Sequence, residues 1–238
     1  MRPFPLFRTF VLLWPILLAG ALHAQEPKPR VVLQKDRLQA QFDTVNIVKN
    51  AIKVNPLLFF RGEVPIYYER ALSPELSIEV AVGVTLRNYL AMSFAGDDAD
   101  DFGAGTEIVP NLSLHGGIRY YFTPDLEIQG WYMQPTFAHL QYEKAILVRQ
   151  ADGSFLEDEQ LHDIRTFNDI RLLFGYQKLS ASSNWLFDIY GGVGYRDRHM
   201  RVVQERLDLT TSAYTYDVEE RKDRVPALFV GVKLGLGF

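Results

Sequence analysis

The residues whose types and spacing could support hydrolysis are Ser113 and His115, which stand two positions apart in an alternating stretch of apolar and polar residues. Side chains two positions apart on a strand point to the same face, here the polar one. Carboxylates such as Glu79 lie on the same face of a neighbouring predicted strand. A hydroxyl, an imidazole and a carboxylate are the parts of a lipid-modifying hydrolase. The alternative is that His115 belongs to a structural polar network.

Other chemistry has little support in the sequence. His139, His162 and His199 form no ligand-spaced motif, and no phosphate loop, dinucleotide fingerprint or zinc signature is present. The formal net charge of −4 implies no basic surface for nucleic acid. The chain has no cysteine, so disulfides and a lipoprotein anchor are excluded. We therefore expect no cofactor, no metal and no nucleic-acid partner.

The elements that would hold these residues are clearest at residues 228–238. Apolar residues occupy every even position there, while Gly or Lys stands at nearly every odd one. Such a strand has one apolar face and one crowded polar face, which suits lipid on one side and a filled interior on the other. The closing Phe238 resembles the signal that outer-membrane proteins present to their barrel-assembly machinery.

Eight candidate strands follow one another along the chain, and the connections between them are of two kinds. Tight connections carry turn residues, whereas the others are long and polar. We expect an all-β, eight-stranded antiparallel transmembrane barrel with short periplasmic turns and longer extracellular loops. The tight connections are residues 73–75, 123–125 and 180–184; the long ones are residues 95–106, 143–166 and 196–224; the first connection, residues 61–63, is an exception because it is short.

Within this scheme the first strand runs over about residues 46–59. The fifth strand is the least regular, and we expect Leu126, Ile128 and Tyr132 on its outward face, with Pro135 interrupting the ladder or marking a bulge. The two longest loops contain strand-like stretches, so we expect them to form hairpins that extend beyond the membrane.

The polar faces of the strands carry charges of both signs. An eight-stranded barrel has room for side chains but not for an open channel, so these charges must pair with one another. We expect an interior polar network, which is a structural role and not chemistry. Its expected members are Lys53, Glu69, Glu79, Arg87, His115, Arg119, Glu127, Asp169, Arg171, Asp188 and Lys233.

The first residues of the chain predict export. Arg2 and Arg8 precede a short apolar run that is interrupted by Pro15 and ends in a small-residue pattern, which is typical of a cleaved secretory signal. We expect a signal peptide at residues 1–24, a flexible periplasmic lead-in at residues 25–44, and an outer-membrane β-barrel at residues 45–238. The expected location is the Gram-negative outer membrane.

Two stretches also carry a resemblance. Residues 49–57, KNAIKVNPL, followed by residues 65–72, PIYYERAL, are similar to an uncharacterised family of small outer-membrane β-barrels in Bacteroidota. The likeness is clearest over residues 47–85 and 225–238. More loosely, the architecture resembles OmpA and OmpX, although we expect no peptidoglycan-binding domain like the one that follows the barrel in OmpA. The resemblance implies a barrel and implies no activity.

The sequence therefore favours a non-enzymatic outer-membrane barrel with a structural or surface-interaction role through its extracellular loops. Its expected partners are outer-membrane lipid, the assembly machinery through Phe238, and an extracellular ligand or surface partner. Two alternatives stay open: a lipid-modifying hydrolase that uses Ser113 and His115, and a soluble lipocalin-like barrel whose apolar stripe points inward around a ligand.

Overall fold

A computed structural model of the chain describes residues 33–88, 103–150, 152–208 and 213–238. The chain divides into the units Met1–Arg37 and Leu38–Phe238, and the sheet belongs to the second. The expected signal peptide and most of the connection at residues 95–106 lie outside the described residues. No helix in the described ranges is long and apolar enough to cross a membrane.

The fold is all-β, with one large antiparallel sheet. The lead-in range overlaps a helix, α1, which ends at Thr44. The helices are α1 (Gln34–Thr44) and α2 (Pro56–Phe60), and the strands are β1 (Asn50–Val54), β2 (Glu63–Ser73), β3 (Leu76–Thr85), β4 (Thr106–Val109), β5 (Asn111–Tyr121), β6 (Gly130–Arg149), β7 (Phe155–Leu179), β8 (Trp185–Asp208) and β9 (Ala213–Gly237).

The strand pairings return to their starting point. They run in the order β6–β5–β3–β2–β1–β9–β8–β7, and β7 pairs again with β6, so the sheet is ring-like. All of these pairs are antiparallel. The circuit leaves one face of each strand inside and the other outside.

The expected count of eight strands is wrong, because the described residues form nine. The additional strand, β4, is separated from β5 by Pro110, which has no backbone N–H to donate to a ladder. Thr106 pairs with Ile146 of β6, beyond the point at which β5 pairs with the same strand. The proline thus divides one expected strand into two.

The expected first strand, residues 46–59, is also too long. β1 ends at Val54, and Pro56 begins the helix α2. Proline is favoured at the first position of a helix, because the backbone N–H of that position has no partner within the helix. A short helix therefore occupies part of the wall where a strand was expected.

The faces of the fifth expected strand are reversed. Ile128 and Tyr132 were expected outward, yet both are almost fully buried, and Trp131 is exposed instead. Residues 126–129 lie outside the strand, and Gly130 has a φ of +118°. This backbone conformation, which favours glycine, resets the alternation before β6 begins. Pro135 lies inside β6 and pairs with Leu172 of β7 without a register shift, whereas the ladder to β5 is interrupted between Thr136 and Met133, as expected.

Elsewhere the expected outward residues do face outward. Over residues 76–86, 112–122, 185–195 and 228–238, alternate apolar side chains are exposed. β5 and β3 are neighbours in the circuit, as are β9 and β8, and the exposed apolar residues of β2 and β1, such as Ile66 and Ile52, lie between the two pairs. Together these residues form an exposed apolar surface, which we call the apolar band.

The interior has apolar clusters at both ends of a polar centre. At the turn end, Phe42 of α1 packs with Ala51, Ala71, Ile128, Leu179 and Leu186. At the other end, Leu140, Tyr142, Phe167 and Met200 pack with Ala138. The space enclosed by the sheet is therefore occupied by side chains along its length.

The expected loops 143–166 and 196–224 consist mostly of strand. β6 and β7 form one long hairpin, and β8 and β9 form another in which Asp208 pairs with Ala213. Both continue well past the apolar band, as the strand-like stretches in the sequence predict. Their ends are called the projecting hairpins below.

Candidate functional site

A buried polar layer crosses the middle of the ring. Each strand of the circuit places one polar side chain in it, and hydrogen bonds or ion pairs across the interior join these side chains to one another. All of these residues are at most 3% exposed. In circuit order they are Gln134, Arg119, Glu79, Glu69, Lys53, Lys233, Asp188 and Gln177.

Arg119 is the centre of the polar layer. Its Nη2 donates to Glu79 Oε2 at 2.9 Å and to Asp188 Oδ2 at 3.1 Å, and its Nη1 donates to Glu69 Oε2 at 3.2 Å. The guanidinium also lies 3.8 Å from the centre of the Tyr132 ring. A planar guanidinium with several donors can bridge carboxylates from three strands, which a lysine could not do with the same geometry.

Two lysines complete the charge balance. Lys53 Nζ donates to Glu69 Oε2 at 2.6 Å and lies 3.6 Å from Asp188 Oδ2. Lys233 Nζ forms an ion pair with Glu79. With Arg119, these cations face an equal number of carboxylates in the layer, so the buried charges can neutralise one another.

Sequence reasoning missed several neutral residues in the layer or hydrogen-bonded to it. Tyr132 donates to Asp188 Oδ1 at 2.6 Å, and Gln134 Nε2 donates to Glu79 Oε1 at 3.0 Å. Both residues were missed because the turn before β6 reversed the expected alternation. Gln177 and Tyr121 also bind Glu69, at 3.1 Å and 2.8 Å. Their inward positions were visible in the sequence, but the expected network contained only titratable residues.

A second ion cluster lies toward the projecting hairpins. Arg196 donates to both oxygens of Asp169 at 2.8 Å, and Arg171 Nε donates to Oδ2 of the same carboxylate at 3.1 Å. Asp169 and Arg171 were expected in the interior. Arg196 was assigned to a loop, because the strand character of the projecting hairpin was not recognised at that position.

Ser113 and His115 both face inward, but they do not form the hydroxyl, imidazole and carboxylate set of the alternative hydrolase. His115 Nε2 pairs with Glu63 and its ring lies 5.6 Å from that of Tyr67, whereas Ser113 Oγ has no hydrogen-bond partner among the described residues. Glu79, the acid considered from the sequence, is held by Arg119, Lys233 and Gln134. The geometry therefore gives an imidazole–carboxylate pair without an activated hydroxyl.

The remaining expected residues lie elsewhere. Arg87 follows β3 and is half-buried, and Glu127 is half-buried in the connection before β6. Phe238 is exposed, and its backbone N–H donates to Asn50 O at 2.8 Å. Within the described ranges, no group of His, Cys, Asp and Glu side chains is arranged to hold a metal ion.

The projecting hairpins are joined near their tips by what we call the tip contact. The backbone N–H of Arg149 on β6 donates to the Tyr216 hydroxyl on β9 at 2.7 Å. The Arg149 guanidinium lies 5.0 Å from the centres of the Phe155 and Tyr214 rings. Tyr216 in turn donates to Glu205 at 3.2 Å. Hydrogen bonds and cation–π contacts thus join the two hairpins beyond Ile164 and Arg201, where the β7–β8 ladder ends.

Lower on the β8–β9 hairpin, Asp223 binds two arginines. Arg198 Nε and Nη2 donate to its two oxygens at 2.8 Å and 2.7 Å, and Arg221 Nε donates at 3.0 Å. The hydrogen bonds from Arg198 lower the pKa of Asp223 below its ordinary value of 3.8. Because the pKa is lowered on folding, the stabilising effect is complete above the ordinary pKa and is lost as the pH falls through the lowered one.

We expect Arg119→Ala to lower the free energy of unfolding by about 3–5 kcal/mol, because three carboxylates would lose their shared cation in a buried layer. Urea titration of the refolded protein in vesicles measures this change. Arg70→Ala is the matched control, since Arg70 is exposed on the strand that carries Glu69 and its loss should cost about 0.5 kcal/mol or less. Equal effects of the two substitutions would contradict a buried network.

We expect the β8–β9 hairpin to loosen in acid. Amide signals of residues 213–224 in a nuclear magnetic resonance spectrum should stay dispersed from pH 7 to about pH 4 and lose dispersion below it. Asp223→Asn should remove most of this transition. Asp217→Asn, at an exposed ion pair of the same hairpin, should preserve it. An unchanged transition in Asp223→Asn would show that another group is responsible.

Comparison of the chain with protein-family models, curated proteins and solved structures gives no match. The resemblance to small Bacteroidota barrels therefore stays a prediction, and the function must be argued from the site itself.

Proposed function

We propose that this chain is a non-enzymatic β-barrel of the Gram-negative outer membrane, whose projecting hairpins act at the cell surface. The single observation that carries the proposal is the inverted polarity of the sheet, with exposed apolar side chains outside and buried charges inside. In this proposal the tight turns face the periplasm and the projecting hairpins face the exterior, as in known outer-membrane barrels.

The dimensions of the apolar band support a membrane location. A tilted transmembrane strand needs about 9–11 residues to cross the hydrocarbon core. The exposed apolar stretches at residues 76–86, 112–122, 185–195 and 228–238 have this length. Above the band, the outward positions of β8 and β9 become polar, with His199, Arg201 and Lys222 exposed. An apolar surface of such extent would be costly in water.

The interior supports a structural barrel over the alternatives. A soluble lipocalin-like barrel needs an apolar interior around its ligand, whereas here the inside of the sheet is filled by the polar layer. The same filling favours a closed interior over the passage of solutes. The pairing of His115 with Glu63, and not with Ser113, gives no support to a hydrolase.

The surface role is proposed for the projecting hairpins. They extend past the apolar band and are held in place by the tip contact, so their side chains are presented on a rigid support. The tip contact contains Arg149, Tyr214 and Tyr216, and arginine and tyrosine are enriched at protein interfaces. A structural role in membrane integrity is the alternative within the same proposal.

A pair of substitutions on β9 tests membrane insertion. Val230 lies in the apolar band and Val218 on a projecting hairpin, and both are exposed. We expect Val230→Arg to cost about 2–4 kcal/mol in a bilayer, because an arginine near the membrane midplane must be taken out of water. Val218→Arg should change stability by about 0.5 kcal/mol or less. Urea unfolding in vesicles gives both values, and a tolerated Val230→Arg in a water-soluble protein would refute insertion.

Shortening the β8–β9 hairpin distinguishes a surface role from a structural one. Val202 pairs with Glu219, so replacing residues 203–218 by Asn-Gly gives a shorter hairpin in the same register. Cells that lack the protein would be complemented with the full or the shortened chain. We expect both chains to restore detergent resistance if the role is structural. If the role is at the surface, only the full chain should restore attachment to protein-coated plates.

A further inference from the structure

The ring is closed most weakly between its first and last strands. β9 pairs with β8 from Ala213 to Leu236, but β1 pairs with β9 only at residues 234–237. In the described part of the chain, no strand pairs with the other edge of β9 between Ala213 and Lys233. The wall on that side must therefore be completed by something other than a ladder.

Helix α2 occupies this position, next to β9 and β2. Its backbone bonds run within the helix and its flanking turn: Arg61 N–H donates to Leu58 O at 2.9 Å, and Gly62 N–H donates to Phe59 O at 3.0 Å. Only Leu58 is buried, while Leu57, Phe59 and Phe60 are exposed. Helix α2 is thus held mainly by side-chain packing, whereas the rest of the wall is held by strand ladders.

Two buried acceptor atoms lie at the ends of α2. Asn55 precedes the helix and Glu63 follows it, and both residues are 0% exposed. Asn55 Nδ2 donates to the Tyr190 hydroxyl at 2.9 Å, and one oxygen of Glu63 pairs with His115. Among the described residues, Asn55 Oδ1 and Glu63 Oε2 accept no hydrogen bond. Buried acceptors of this kind are rare unless something donates to them.

The other ways to these atoms are filled. Toward the periplasmic end the polar layer blocks the interior, and toward the hairpins Arg171 and Arg196 bind Asp169 and lie over the ring of Phe229. Arg171 is engaged there and is not the donor that Asn55 and Glu63 lack. Helix α2 is the part of the wall that can move without breaking a strand ladder.

We propose that α2 is a lateral opening through which the head group of a cationic amphiphile, such as a primary ammonium, reaches Asn55 Oδ1 and Glu63 Oε2 from the membrane. This inference rests on the proposed membrane location. An ammonium group fits because it carries three donors and no acceptor. An anionic head group would meet two acceptors and bring no donor to them.

The test uses the full mature chain in phosphatidylcholine vesicles and a dodecylamine that carries a photoreactive diazirine. The same alkyl chain ending in a carboxylate is the control probe. Labelled peptides are located by mass spectrometry. We expect the amine to label residues 55–63 at least about tenfold more than the carboxylate, the factor that one charge-assisted hydrogen bond supplies.

Three variants make the result specific. Glu63→Gln should lower amine labelling by about tenfold, whereas Glu220→Gln, at an exposed residue of a projecting hairpin, should leave it unchanged. Leu58→Ala removes the buried side chain of α2 and should raise labelling, because the helix would move more readily. Vesicle flotation of every variant reports membrane insertion separately.

The outcomes are distinct. Protein that does not float refutes the proposed membrane location. Protein that floats but takes up amine and carboxylate equally, or that is labelled as strongly in Glu63→Gln as in the unchanged chain, refutes the ammonium site. If labelling is selective for the amine but Leu58→Ala does not raise it, the proposal that the amine enters through α2 is refuted.

Discussion

The fold depends on the mutual neutralisation of charges inside the ring. Arg119, Lys53 and Lys233 are buried with Glu69, Glu79 and Asp188, and each of these six residues comes from a different strand. Removing ions from water costs several kcal/mol for each ion, so the charges are tolerable only when all strands bring their member to the same height. The polar layer therefore requires every strand of the circuit to be correctly placed, and it is not a set of independent ion pairs.

This condition also fixes the register. A slip of one residue in any strand exchanges its two faces, and would place a charge such as Glu79 in the apolar band while turning Val80 inward. In an all-apolar interior the same slip would exchange one apolar side chain for another. Replacing buried ion pairs by apolar residues is often neutral or stabilising. We infer that this interior keeps its charges because they distinguish the correct register from its neighbours.

Much of this arrangement could be predicted wherever strict alternation holds. Strand β3 and residues 228–237 of β9 alternate without interruption, so Glu79 and Lys233 were placed inward correctly from the sequence alone. Predictions failed where backbone chemistry interrupts alternation. Residues 126–129 lie outside the strand that begins at Gly130, so their apolar pattern did not indicate the faces of β6, which hid Tyr132 and Gln134. Pro56 and Pro110 end ladders that the apolar pattern would have continued. The pairing of Glu63 with His115 was not predicted, because Glu63 was assigned to the short first connection at residues 61–63, whereas it is the first residue of β2.

The number of backbone pairs differs widely between the strands, and buried charges help to hold the ring where the pairs are few. The long hairpins β6–β7 and β8–β9 share many backbone bonds and carry the second ion cluster, so they stay together beyond the apolar band. β1 is short, yet it contributes Lys53 to the polar layer and is held on both sides there. Closure of the ring thus relies on a buried lysine where backbone pairing is weakest. A lateral opening at α2 is compatible with a stable ring for this reason: the helix lies past the end of β1, where neither the ladder nor Lys53 holds the wall.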